Sequence, residues 1–99
     1  MLTRHTNELL ARLEQVDDLG YAVVRKSELL LWHDKEKLMK SVWRSVHDKW
    51  LEVNDEEPLL AGDGDGVVTF IYGRGLTPKD GVWTNAWFQD IREWAGVEI

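Results

Sequence analysis

The chain has 99 residues, of which 43% are hydrophobic, with no cysteine and a formal net charge of −6. This length predicts a single domain over residues 1–99, and this composition excludes a disordered chain. The lack of cysteine excludes a disulfide framework, a thiolate metal site and a cysteine nucleophile. No stretch approaches the roughly 18 apolar residues of a membrane span and the N-terminus lacks a signal-peptide core, so we expect a cytoplasmic protein without membrane contact.

The first predicted element is a helix over residues 3–18. Thr3 or Thr6 is placed to cap its start, and Gly20 is placed to end it in the left-handed conformation. Its apolar residues share one helical face: Leu2, Leu9, Leu13 and Val16.

Two short elements are predicted to follow. Residues 21–24 are aromatic and β-branched and predict a strand. Residues 27–32 fit either a short helix or a buried strand, because periodicity does not separate the two at this length. Leucine and glutamate favour the helix, for which Ser27 is a suitable N-cap.

The longest amphipathic stretch, residues 34–53, predicts one helix that organises the chain, with Asp34 as its N-cap. Its apolar residues form a stripe about 100° wide that must be buried: Met39, Val42, Trp43, Val46, Trp50 and Val53. Basic residues form a second stripe, about 130° from the first: His33, Lys37, Lys40, Arg44 and His47.

The remainder of the chain predicts a β-hairpin over residues 58–72, in which alternating glycine and aspartate over 62–66 supply the turn. Residues 77–80 are typical of a helix start, and Thr84 is an alternative N-cap. The last helix is then predicted to end at Gly96. One face of that helix carries Trp87, Ile91 and Trp94, with Trp83, Phe88 and Ala95 beside it.

No pattern in the sequence indicates catalysis. The three histidines do not have the spacing of a zinc site, and the aspartate–glycine turn lacks the flanking acids of a calcium loop. No nucleophile motif and no paired catalytic acids are visible. We therefore predict a protein that is not an enzyme and that has no metal and no cofactor.

The candidate binding residues belong to the basic stripe, to the turn formed by residues 73–75 and to the edge of the apolar stripe. They are Lys37, Lys40, Arg44, His47, Arg74 and Trp43. The basic stripe is either a solvated helix face or a docking surface for phosphate or an acidic partner. Tryptophan occurs six times and is enriched at interaction hot spots, although packing at the rim of the core is the alternative interpretation.

The element order resembles that of a winged helix-turn-helix domain. The resemblance covers about three quarters of the chain: helix 3–18, strand 21–24, helix 27–33, helix 35–53 and hairpin 58–72. It implies a recognition helix over 35–49 and a wing tip over 63–66. The acidic wing tip and the net charge are unfavourable beside a phosphate backbone, and many winged helices bind proteins instead.

We therefore expect a small α+β domain with three to four helices and a β-hairpin. Its expected function is non-enzymatic protein binding, as an inhibitor, adaptor or assembly subunit of the kind that phages encode. The first alternative is a winged-helix-like regulator that binds nucleic acid through Lys35, Lys37, Lys40 and Arg44. The second is an acidic DNA-mimic inhibitor that uses the acidic residues of 54–66, and a homo-oligomer is a further option for the assembly state.

Overall fold

A computed structural model describes residues 1–72 and 88–98 of the chain. In this part of the chain, four helices and a four-stranded antiparallel sheet form an α+β fold, which confirms the predicted fold class. The elements in chain order are α1 (Thr3–Leu19), β1 (Tyr21–Arg25), α2 (Lys26–His33), α3 (Lys40–Val53), β2 (Leu60–Asp63), β3 (Val67–Ile71), β4 (Gln89–Asp90) and α4 (Ile91–Ala95).

The first helix ends where the sequence predicts. Gly20 has a φ of 93°, and its N–H donates to the carbonyl of Val16 at 2.8 Å. Glycine takes this left-handed conformation without the steric cost of a β-carbon. The start differs, because Leu2 occupies the N-cap position and the two threonines proposed as caps lie inside the helix. The predicted strand follows as β1.

The ambiguous residues 27–32 are helical and form most of α2. Ser27 is not its N-cap, since the helix begins one residue earlier. The N-cap position belongs to Arg25, whose backbone N–H donates to the Glu28 carboxylate at 3.1 Å. A glutamate at the third helical position thus satisfies a donor that the helix itself leaves unpaired.

The prediction of a single helix over residues 34–53 is wrong at its start, because α3 begins only at Lys40. Asp34 ends α2 with a φ of 52° instead of capping α3. Aspartate tolerates this left-handed conformation better than most residues do. The resulting turn over 34–39 lets Trp32 of α2 and Trp43 of α3 both reach the core.

The predicted hairpin is confirmed as β2 and β3, which are the inner strands in the sheet order β1-β3-β2-β4. The register places buried residues opposite each other, with Ala22 facing Phe70 and Val24 facing Val68. A shift by one residue would turn all of these side chains to the other face of the sheet. The apolar alternation therefore determines the register.

Among the strands that the structure describes, none pairs with the outer edge of β1, and side chains of α1 cover this edge. The carbonyls of Tyr21 and Val23 accept hydrogen bonds from Gln15 Nε2 and Arg12 Nη1, both at 3.3 Å. An edge strand with open acceptors invites pairing with another chain. Since these two acceptors are occupied, we expect no partner strand to add at this edge.

The predicted last helix begins later than expected. Gln89 and Asp90 form β4, which pairs with β2, and α4 starts at Ile91. Asp90 caps this helix, because its side chain accepts from the backbone N–H of Arg92 at 2.9 Å. Gly96 ends the helix in the left-handed conformation, as predicted. The other predictions for residues 73–87 lie outside the described residues.

The core lies between the helices and one face of the sheet. Most of the predicted apolar stripe of α3 is buried there, whereas Met39, which precedes the helix, is 45% exposed. The largest fully buried side chains are Trp32, Trp50 and Phe70. Within residues 1–72 and 88–98, no helix has both the length and the apolar character required to cross a bilayer.

Candidate binding surface

The exposed face of α3 lies opposite its buried face and covers an arc of about 120°. We call this face the α3 stripe, and it consists of Lys40, Ser41, Arg44, Asp48, Leu51 and Glu52, all of which are exposed. Positive side chains occupy its N-terminal half and negative side chains its C-terminal half. Because the apolar face of α3 packs against the core, the opposite face presents a continuous charged surface on a rigid helix.

Three of the predicted binding residues are exposed within or just before the N-terminal half of this stripe. Lys40 and Arg44 belong to the stripe, and Lys37 is exposed in the connection that precedes α3. Among the described residues, none of the three forms an ion pair. A β-carbon on Gly96 would meet Lys40 Cδ and Cε at 3.0 Å, so the aliphatic part of Lys40 passes over the end of α4. Lys40 Nζ would lie 3.2 Å from the same β-carbon, so the Lys40 ammonium stands beside the C-terminal end of α4 although the residue is exposed.

His47 does not share this surface, although it was predicted with the basic stripe. Its side chain is 8% exposed and lines a cleft of about 90 Å³ beside Trp50, Pro58 and Arg92. Burial lowers the pKa of His47, Asp48 opposes this shift, and the charge of Arg92 adds to it. His47 Nδ1 is buried and, in the part of the chain described, has no hydrogen-bond partner.

His33 lies in α2 and joins this helix to α3. Its Nδ1 is 2.7 Å from the Leu29 carbonyl oxygen, and its Nε2 is 2.9 Å from Ser45 Oγ. A carbonyl only accepts, so Nδ1 is assigned as the donor and Nε2 accepts from the Ser45 hydroxyl. Burial lowers the pKa of His33; the bond to Leu29 opposes this, and the nearby positive charges of the N-terminus, Lys49 and Lys35 add to it.

Trp43 packs at the rim of the core and is 8% exposed. Its ring lies 6.5 Å from that of Phe70 in an edge-to-face arrangement, and 4.8 Å from that of Trp94. Such pairs stabilise a core beyond the effect of their buried area. Trp43 therefore presents little surface to a partner. The remaining predicted binding residue, Arg74, lies outside the described residues.

An ion pair at the start of α4 was not predicted from the sequence. Asp90 is fully buried, and its carboxylate accepts from Arg92 Nε at 3.0 and 3.1 Å. This hydrogen bond raises the pKa of Arg92. An aspartate before a short amphipathic helix is a sequence signal for an N-cap. Nothing local, however, indicates that the carboxylate is buried.

A second exposed surface is apolar. Met1, Leu2 and Leu31 line an open groove between the start of α1 and the end of α2. Each of these three side chains is more than half exposed. The same groove is also lined by Arg4, His5 and Asp34, so its apolar side chains lie among polar and charged ones.

Comparison of the chain with protein-family models, with curated protein sequences and with solved structures gave no match.

Proposed function

We propose that the chain is a non-enzymatic protein-binding domain, and that Lys37, Lys40 and Arg44 dock it onto an acidic surface. The observation that carries this proposal is that three cations close together in sequence are exposed in a chain of net charge −6, and that within residues 1–72 and 88–98 none of them forms an ion pair. Charges that already pair within a domain must give up that partner before they bind another. The described ion pairs involve other cations, so this cost does not arise here.

The charge distribution also supports specificity. An acidic partner is repelled by the acidic side chains of the domain and attracted by these cations, which orients the encounter. The two cations on α3 stand on a helix whose opposite face is anchored by buried Val46 and Trp50. A surface on a rigid element loses little conformational entropy when it binds. The contact is therefore expected to be specific and sensitive to salt.

The test uses a fluorescently labelled, glutamate-rich peptide of about 12 residues, titrated at roughly 50 mM salt. We expect Arg44→Glu to weaken binding of the peptide about tenfold. The matched control is Arg4→Glu, which makes the same charge change on the exposed surface of α1. Equal effects of the two variants, or no binding by the unmodified protein, would overturn the proposal.

A second candidate function is nucleic-acid binding by the same three cations. It is favoured by their position at the start of a 14-residue helix that follows a short helix, as in the winged helix-turn-helix order. Asp48 and Glu52 on the same face oppose it, because they would meet phosphate groups. Retention of a labelled duplex at roughly 50 mM salt, weakening steeply as salt rises, would favour this candidate over the first.

A further inference from the structure

The charges of the α3 stripe run against the helix dipole. The first turn of α3 has no acidic residue, its last turn has no basic residue, and its N-cap residue Met39 makes no side-chain capping bond. Instead, Lys40 stands at the positive end of the dipole and Glu52 at the negative end. Each such placement is unfavourable in an isolated helix. The unfavourable interaction between these side chains and the helix dipole becomes weaker when side chains of opposite charge from another molecule approach them.

The order of the charges is also self-complementary. Antiparallel alignment of two stripes about a centre at Val46 brings Lys40 level with Glu52 of the other copy, and Arg44 level with Asp48. The same alignment places Ser41 level with Leu51. Within one chain, Arg44 and Asp48 are four residues apart, yet among the described residues neither forms an ion pair. The charges of Arg44 and Asp48 are thus both available for pairing across a two-fold axis, whereas Glu52 would exchange its 3.9 Å ion pair with Lys49 for one with Lys40 of the other copy.

We propose that a second copy of this chain covers the α3 stripe, with the two α3 helices antiparallel and the two-fold axis on the exposed face at the level of position 46. This deepens the proposed function and rests on it, because the partner's acidic surface is then the other half of the same stripe. An antiparallel arrangement also opposes the two helix dipoles. Every contact occurs twice, as in other two-fold interfaces, where one patch meets itself.

The expected dimer is weak. From Lys40 to Glu52 the stripe is about 18 Å long, so the buried area falls below that of a standard protein interface. Exposed ion pairs supply much of the attraction, and salt screens them. We therefore expect sedimentation analysis to detect a dimer over roughly 10–500 µM protein at about 50 mM salt. At about 500 mM salt, the association should weaken roughly tenfold.

Charge reversal tests the alignment. Arg44→Glu and Asp48→Arg should each give a monomer, because like charges then meet twice. An equimolar mixture of the two variants should form a heterodimer, since Glu at 44 faces Arg at 48 and Asp48 faces Arg44. Glu14→Arg, on the exposed surface of α1, is the control and should leave the dimer unchanged. Circular dichroism of each variant checks that it is folded.

The dimer proposal is overturned if the unmodified protein is monomeric over the whole range, or if the mixed variants do not associate. The proposed function is judged separately with the acidic peptide. Asp48→Arg keeps both stripe cations, so it should bind the peptide even though it does not self-associate. A monomeric protein that still binds the peptide refutes the dimer alone, whereas failure to bind the peptide refutes the docking function.

Discussion

Asp90 illustrates at the scale of one residue how a buried ion depends on a single partner. Its carboxylate is fully buried and accepts from the backbone N–H and from the guanidinium of Arg92. Removing a charge from water costs several kcal/mol, and a paired buried ion recovers that cost only with good geometry. The pair is thus needed because the carboxylate is buried, and it adds little net stability of its own.

We predict that Arg92→Met lowers the free energy of unfolding by about 3 kcal/mol, because it leaves the Asp90 carboxylate buried without its cation. Asp90→Asn combined with Arg92→Met should cost less than Arg92→Met alone, since no buried charge remains. Urea denaturation of the three proteins measures both effects. A double variant that is less stable than Arg92→Met would contradict this interpretation.

At the scale of an element, α3 has a strong apolar face and a poorly made start. Met39 has the extended backbone of an N-cap residue, with φ −132° and ψ 172°, but its side chain has no oxygen to accept from the first turn. Good caps are worth about 1 kcal/mol. The helix therefore depends on the packing of its buried face, in particular Trp43, Val46 and Trp50.

We expect Met39→Asp to raise the free energy of unfolding by about 1 kcal/mol, because aspartate caps the helix and places negative charge at the positive end of its dipole. Met39→Asn supplies the cap without the charge and should give a smaller gain. Met39→Leu is the control for the loss of the methionine side chain. Thermal unfolding of all three variants tests the order Asp, Asn, Leu, and a different order would show that the cap is not the cause.

At the scale of the whole molecule, two partly or largely buried histidines lie where helices pack against each other. His33 binds Ser45 and thereby joins α2 to α3, whereas His47 lies beside Arg92, where α3 packs against α4. Burial lowers the pKa of both side chains below the usual value of 6.5. The unfolded chain therefore takes up protons at a higher pH than the folded chain does.

Because both histidine pKa values are lower in the folded state, we predict that the protein loses stability in mild acid. Above about pH 6.5 both histidines are neutral in the folded and the unfolded state, so their full contribution to the free energy of unfolding is present. Below this pH the unfolded chain binds protons before the folded chain does. The free energy of unfolding therefore falls with pH until the pH reaches the lowered pKa values of the folded state. Urea denaturation at about pH 7.5 and about pH 5.5 should show this fall. His33→Gln and His47→Gln should each reduce it, and an unchanged slope in both variants would contradict the assignment.

Features that depend on local backbone chemistry were predictable from the sequence. Gly20 and Gly96 end their helices because glycine accepts a positive φ, and the glycine–aspartate turn between two apolar runs makes the hairpin. The buried and exposed faces of α3 likewise follow from its period of 3.6 residues. These signals lie within a few residues of the structure that they predict.

Which residues of these helical faces are buried depends on tertiary contacts and was not predictable from the sequence. His47 and Lys40 lie close together on the helix wheel, but Trp50, Pro58 and Arg92 surround only the first. The start of α3, the strand β4 and the burial of Asp90 likewise depend on residues distant in sequence. The helical period gives the direction in which each side chain points. Whether that side chain is buried depends on which other element packs against that side of the helix, and contacts between elements determine this packing.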